Sequence, residues 1–91
     1  INIASAYSKT VDTEVVPYCA SKFGLRGFTQ ALAQELPKNV RTYVVNPGLT
    51  QTRMTKFQGV PVEKVSGIII KTAEESLGKK SGEDIDLKDY V

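Results

Sequence analysis

Apolar and polar residues alternate from the first position, Ile1-Asn2-Ile3-Ala4, and the alternation stops at Ser5. This predicts a short buried strand over residues 1–4 with a serine at its carboxyl end. Residues 6–17 have no periodicity, are rich in Ser, Lys, Thr, Asp and Glu, and end in Pro17, as a loop does. From Tyr18 to Leu36 the spacing is helical: Leu25, Phe28, Leu32 and Leu36 fall at i, i+3, i+7 and i+11. Pro37 stops that helix and Asn39 marks the turn. Val40, Thr42 and Val44 then alternate with Arg41 and Tyr43, predicting a second strand that runs out at Asn46-Pro47-Gly48.

Residues 49–60 read as a long polar loop. Pro61 suits the first turn of a helix, and Glu63 follows where acids are favoured. Val65, Ile68, Ile69, Thr72 and Ala73 keep helical spacing, and Gly78 is a stop signal. Ile85 and Leu87 alternate with acids in a last short strand. Strand, helix, strand, helix, strand is the pattern of an α/β fold with a parallel sheet and crossover helices.

Composition narrows the chemistry. A chain of 91 residues, 41% hydrophobic and 24% charged, supports one modest core and no second domain. Its single cysteine, Cys19, excludes an internal disulfide and reads as a buried structural thiol. With no histidine there is no Ser-His-Asp or Cys-His machinery, so an acid or base must be Tyr, Lys, Asp or Glu. The net charge of +2 includes no dense basic stripe, so no nucleic-acid partner is expected. No apolar run approaches the roughly 20 residues that span a bilayer, so no membrane partner is expected either. The chain begins at Ile1 without a charged stretch leading into an apolar one, so no signal peptide is read there and a cytoplasmic location is expected. That beginning reads as a cut through a larger protein.

Within these bounds Ser5, Tyr18 and Lys22 stand out. Tyr18 and Lys22 are four apart at the start of a helix and share a face. An ammonium beside a phenol favours the phenolate, which gives a histidine-free site a group able to move a proton. A serine at a strand end can hydrogen-bond the same substrate oxygen and polarise a carbonyl. Composition alone predicts roughly 0.4 Tyr-x-x-x-Lys pairs in such a chain, and roughly 0.03 once a serine thirteen residues earlier is required. The conjunction is informative where its parts are not.

These residues carry a resemblance. Ile1-Asn2-Ile3-Ala4-Ser5, Tyr18-Cys19-Ala20-Ser21-Lys22-Phe23-Gly24 and Val40-Arg41-Thr42-Tyr43-Val44-Val45-Asn46-Pro47-Gly48 resemble the C-terminal part of a short-chain dehydrogenase/reductase. The resemblance covers essentially the whole chain, most specifically residues 1–54. It implies the C-terminal part of a Rossmann-like, doubly wound parallel sheet, with residues 1–91 one segment of a single oxidoreductase domain. It implies interconversion of an alcohol and a ketone or aldehyde, with NAD or NADP as cofactor. Tyr18 would be the acid/base, Ser5 would polarise the carbonyl, and Lys22 would lower the tyrosine pKa and hold the nicotinamide ribose. Pro47, Gly48, Thr50 and Thr52 would face the nicotinamide and its carboxamide beside Tyr18 and Lys22. The partners implied are a small-molecule carbonyl or alcohol substrate and further copies of the chain, as a homodimer or homotetramer. Met54, Phe57 and Val60 are candidates for pocket lining, and Phe23 and Phe28 for core or subunit contacts.

Departures are equally visible. The seven glycines are scattered from 24 to 82, with no phosphate-binding cluster. The residue that selects NAD or NADP and the family's relay asparagine are also absent. Thr50 stands where the family more often has a branched apolar residue, and Asp84 and Asp86 where it often has an apolar run. The dinucleotide-binding half is therefore expected to lie outside this chain. Two further readings remain open on the residues: a non-catalytic binding or scaffolding member of the fold, and an inert fragment. The intact Ser5, Tyr18 and Lys22 set argues against scaffolding, which would not need all three.

Overall fold

The structure, a computed structural model, describes residues 1–51 and 53–90, with Met54 through its backbone only. Three short strands, β1 (Asn2–Ile3), β2 (Val44–Asn46) and β3 (Asp84–Asp86), alternate with helices α1 (Val16–Glu35) and α2 (Val62–Ala73). The strands are parallel in the order β1-β2-β3, with Asn2 opposite Val44, and Val44, Val45 and Asn46 opposite Asp84, Ile85 and Asp86. Single 3₁₀ turns occupy Ala6–Ser8, Arg53–Thr55 and Leu87–Asp89.

Because strand side chains alternate, register divides the sheet into two unlike faces. Ile3, Val45 and Ile85 share one face, where Tyr43, Val45, Ile85 and Leu87 form a core with Ile68 of α2. Asn2, Val44, Asn46, Asp84 and Asp86 share the other, reached by α1 through Thr29 and Arg26. The helices thus cover opposite faces while the strands step in one direction. The two crossovers must therefore have opposite hands, and one departs from the usual right-handed rule. The apolar stripe of α2 packs on the apolar face, while the face under α1 carries the polar side chains of Asn2, Asn46, Asp84 and Asp86 around Val44. Among the described residues no helix is long and apolar enough to cross a membrane.

Several expectations need correction. Among the described residues the first strand is not buried: β1 pairs there only with β2, Ile3 faces away from α1, and Ile1 and Ile3 are 47% and 39% exposed. The second strand begins at Val44 rather than Val40; Val40 N–H closes a turn on Pro37 C=O at 2.9 Å and its side chain stays exposed. Leu87 lies in a 3₁₀ turn beyond β3, though it is still buried. Of the two roles expected for Phe23 and Phe28, core or subunit contact, the core role is excluded: both are exposed, and the buried positions of α1 are Cys19 and Thr29. The helix begins at Val16, with Pro17 in its first turn, and ends where Leu36 turns extended ahead of Pro37. Tyr18 and Lys22 consequently sit in its first two turns.

Candidate active site

The site lies beyond the carboxyl ends of β1 and β2, where open parallel α/β sheets bind ligands. The two strand ends are stitched together there: Ala4 N–H donates to Val45 C=O at 2.8 Å and Ala6 N–H to Pro47 C=O at 2.9 Å. Ser5 is buried and caps the Ala6–Ser8 turn, its Oγ accepting from Tyr7 N–H at 3.2 Å. A hydroxyl that accepts this bond still has its own proton to donate.

From α1, Lys22 crosses to β1 and donates from Nζ to Ile3 C=O at 3.2 Å. The same nitrogen lies 5.6 Å from the centre of the Tyr18 ring. Tyr18 is 42% exposed, and its ring and that of Tyr7 form a T-shaped pair with centroids 6.1 Å apart. These groups open onto a cleft of about 640 Å³. Its walls include Ser5, Tyr18, Lys22, Pro47, Gly48 and Thr50, so these sequence-derived candidates share one space. Thr52 lies outside the described residues, as does the side chain of Met54.

Phe57 and Val60 are not on the cleft wall. Phe57 is 65% exposed, and Val60 packs against the core under α2. The cause is a fold-back of the loop: Val60 N–H donates to Leu49 C=O and Gln51 N–H to Val60 C=O, both at 2.8 Å. Gly59 makes this possible, with φ +100° and a backbone so close that a Cβ would lie 2.2 Å from the Leu49 oxygen.

Tyr7, Val15, Leu49 and Thr55 also line the cleft and were not found by sequence reasoning. For Tyr7 a signal existed, its position two residues past Ser5, but the segment's polar composition masked the turn. Tyr7 Oη donates to Asp12 at 3.1 Å, and this bond, with the charge of Asp12, pushes the Tyr7 phenol above its ordinary value. Cys19 is buried as expected, its Sγ 3.9 Å from Thr10 C=O. Among the described residues no group of three or more Cys, Asp or Glu could hold a metal.

Behind the cleft, the acids of β3 are all paired. Arg26 grips Asp84 with two bonds of 2.8 Å, and Asn46 Nδ2 donates to both Asp84 and Asp86 at 2.9 Å. Lys9 reaches Asp86 at 2.7 Å and Asp84 at 3.5 Å. Burial pushes the Asp84 carboxyl up, but the bonds from Arg26 and Asn46 and the charges of Arg26 and Lys9 outweigh it and hold it at about 2.

As a ligand site the cleft offers hydrogen-bond donors beside open space. Lys22 has further donors beyond its bond to Ile3, Tyr18 presents its hydroxyl, and Gly48 leaves open space where a Cβ would stand.

Known proteins bear on this geometry. The sequence model of the short chain dehydrogenase family matches residues 1–61. The chain is 45% identical over 56 residues to a 3-oxoacyl-acyl-carrier-protein reductase of Aquifex aeolicus, covering 60% of this chain and 23% of that protein. It is 34% identical over 80 residues to the enzyme of that name from Haemophilus influenzae, covering 87% and 32%. It is similar in structure to the 3-oxoacyl-acyl-carrier-protein reductase of Brucella melitensis, solved in complex with NAD. There the TM-score is 0.82 at 25% identity, over 93% of this chain and 41% of that one. The chain thus spans about a quarter to a third of the length of these two curated relatives. Fold, motif spacing and the match over residues 1–61 agree, and the chain belongs to the short-chain dehydrogenase family.

Proposed function

We propose that the protein is an NAD- or NADP-dependent oxidoreductase interconverting an alcohol and a ketone or aldehyde. In this reading residues 1–91 are the C-terminal segment of a single Rossmann-like domain whose dinucleotide-binding half lies outside them. The observation that carries the proposal is the meeting of Ser5, Tyr18 and Lys22 in one cleft at the ends of β1 and β2. The reductase names of the matched relatives, and the NAD held by the Brucella protein, support it.

A nicotinamide held in the cleft would supply or accept the hydride. Tyr18 donates the proton to the substrate oxygen in reduction and takes it back in oxidation. Ser5 gives the same oxygen a hydrogen bond that strengthens as negative charge builds there. The Lys22 ammonium faces the Tyr18 ring and stabilises charge left on it as the proton moves, and its remaining donors suit ribose hydroxyls. Backbone groups of Pro47 and Gly48, with Thr50 and, as the resemblance implies, Thr52, would hold the carboxamide. Val15, Leu49 and Tyr7 form the wall against which a small apolar substrate packs. The exposed Phe23 and Phe28 on α1 support assembly into a homodimer or homotetramer.

The test is Tyr18→Phe in the full-length protein, assayed with both dinucleotides on a panel of small carbonyl compounds. The substitution keeps the ring's packing and removes its proton. Turnover is expected to fall about 100-fold or more with dinucleotide binding retained, the scale of a lost general acid. Wild-type turnover in a folded Tyr18→Phe variant contradicts the mechanism. Dinucleotide binding by the wild type without turnover on any carbonyl points to a non-catalytic member.

A further inference from the structure

The three stretches that build the cleft are separate in sequence, yet each is tied at its edge to the same two carboxylates. Ser8 and Lys9 follow Ser5 by three and four residues, Arg26 follows Lys22 by four, and Asn46 directly precedes Pro47. Ser8 is fully buried and donates from Oγ to Asn46 Oδ1 at 2.8 Å. Asn46, also buried, spends its other end on Asp84 and Asp86, both at 2.9 Å. Lys9 binds Asp86 and Arg26 binds Asp84 in a two-pronged pair. From this convergence we propose that Asp84 and Asp86 of β3 are positioning residues, which fix the Ser5 turn in place against the Tyr18–Lys22 helix and the Pro47-Gly48 strand end.

The inference rests on the function proposed above. Its physical content is that β3 itself lines none of the described cleft, and its acids act through Asn46, Ser8, Lys9 and Arg26. A carboxylate suits this work because it only accepts. Asp84 takes Arg26 Nε and Asn46 Nδ2 on one oxygen, and Arg26 Nη2 and Gln30 Nε2 on the other. An amide of the same shape has one accepting oxygen, and its NH₂ group would face two of those donors. The Arg26 and Asn46 contacts would then shift, moving α1 and the serine turn apart. A displacement of about 1 Å between reacting groups is enough to cost on the order of 100-fold in rate.

Asp84→Asn in the full-length protein, in wild-type and Ser5→Ala backgrounds, tests this, with thermal unfolding as the check on folding. In the wild-type background kcat should fall about 10-fold while the KM for the dinucleotide changes by less than about twofold. In the Ser5→Ala background the same change should cost no more than about threefold, because the hydroxyl it positions is already gone. An unchanged kcat in folded Asp84→Asn overturns the proposal, as does an equal fractional loss in both backgrounds, which marks a general structural effect. Should Asp84→Asn fail to fold, Ser8→Ala breaks the chain of bonds at its other end and must give the same split and the same non-additivity. If the wild-type protein itself shows no dinucleotide-dependent turnover, the functional reading fails first. If it turns over, Tyr18→Phe abolishes that, and Asp84→Asn is neutral, only the positioning role falls.

Discussion

The two faces of the small sheet solve different problems. Under α2 the face is apolar, with Val45 and Ile85 fully buried against Ile68, and close packing dominates it. Under α1 the face is polar, with Asn46, Asp84 and Asp86 held by Ser8, Lys9 and Arg26. Hydrogen bonds and ion pairs are poor sources of net stability, but they fix distances and angles where apolar contacts tolerate sliding. The face that is poor in hydrophobic contact is the one beneath Tyr18 and Lys22. Stability and geometry are thus assigned to opposite sides of one layer.

The largest effect should come from the apolar face. Ile85→Ala removes a fully buried side chain beside Tyr43, Val45 and Leu87 and should cost about 2–5 kcal/mol in chemical denaturation. Turnover per folded molecule should stay near the wild-type value, because the cavity opens away from the cleft.

On the polar face the corresponding effect depends on pH. Asp84 is held at about 2 against an ordinary 3.8, so its folded form binds a proton less readily than its unfolded form. The stabilisation it gives is complete above the unfolded value and is lost as pH falls through about 2. The difference amounts to about 2 kcal/mol. Comparing the stabilities of the wild type and Asp84→Asn from about pH 5 to about pH 2 should show their gap shrinking by about that amount. A gap independent of pH would mean that Arg26 and Asn46 do not hold the carboxyl down.

The smallest effect belongs to an exposed ion pair. Arg41 and Glu75 form a two-pronged ion pair between side chains 42% and 38% exposed, and neither residue lines the cleft. Arg41→Gln should leave both the unfolding midpoint and turnover unchanged, as exposed pairs contribute little. A marked loss in either would show that ion pairing outside the Asp84 cluster also shapes the site.

What could be read from sequence follows the same division. Ser5, Tyr18, Lys22 and Pro47-Gly48 were legible because each sits at a punctuation mark, a strand end or a helix start, that local pattern reveals. The helix α2 and its core partners were legible because helical spacing matched a face that is apolar. Where periodicity was read without knowing what it would face, it misled. Phe28 completes the stripe of α1 and yet is 59% exposed, since the sheet beneath prefers Thr29 and Arg26. The acids of β3 looked like a mere departure from the resembled family. Their role depends on contacts 38 positions apart for Ser8 with Asn46 and 77 for Lys9 with Asp86, which no local window contains. Tyr7 was hidden for a milder reason: a three-residue turn capped by Ser5 is too short to leave a periodic trace.

The division between the faces is most directly tested by measuring the unfolding midpoint and kcat of full-length Ile85→Ala and Asp84→Asn side by side at neutral pH. Ile85→Ala should lower the midpoint more than Asp84→Asn and leave kcat per folded molecule within about twofold. Asp84→Asn should lower kcat about 10-fold for a smaller loss of midpoint. If both variants lowered kcat in proportion to their loss of stability, the two faces would be doing one job, and the separation of stability from geometry would be wrong.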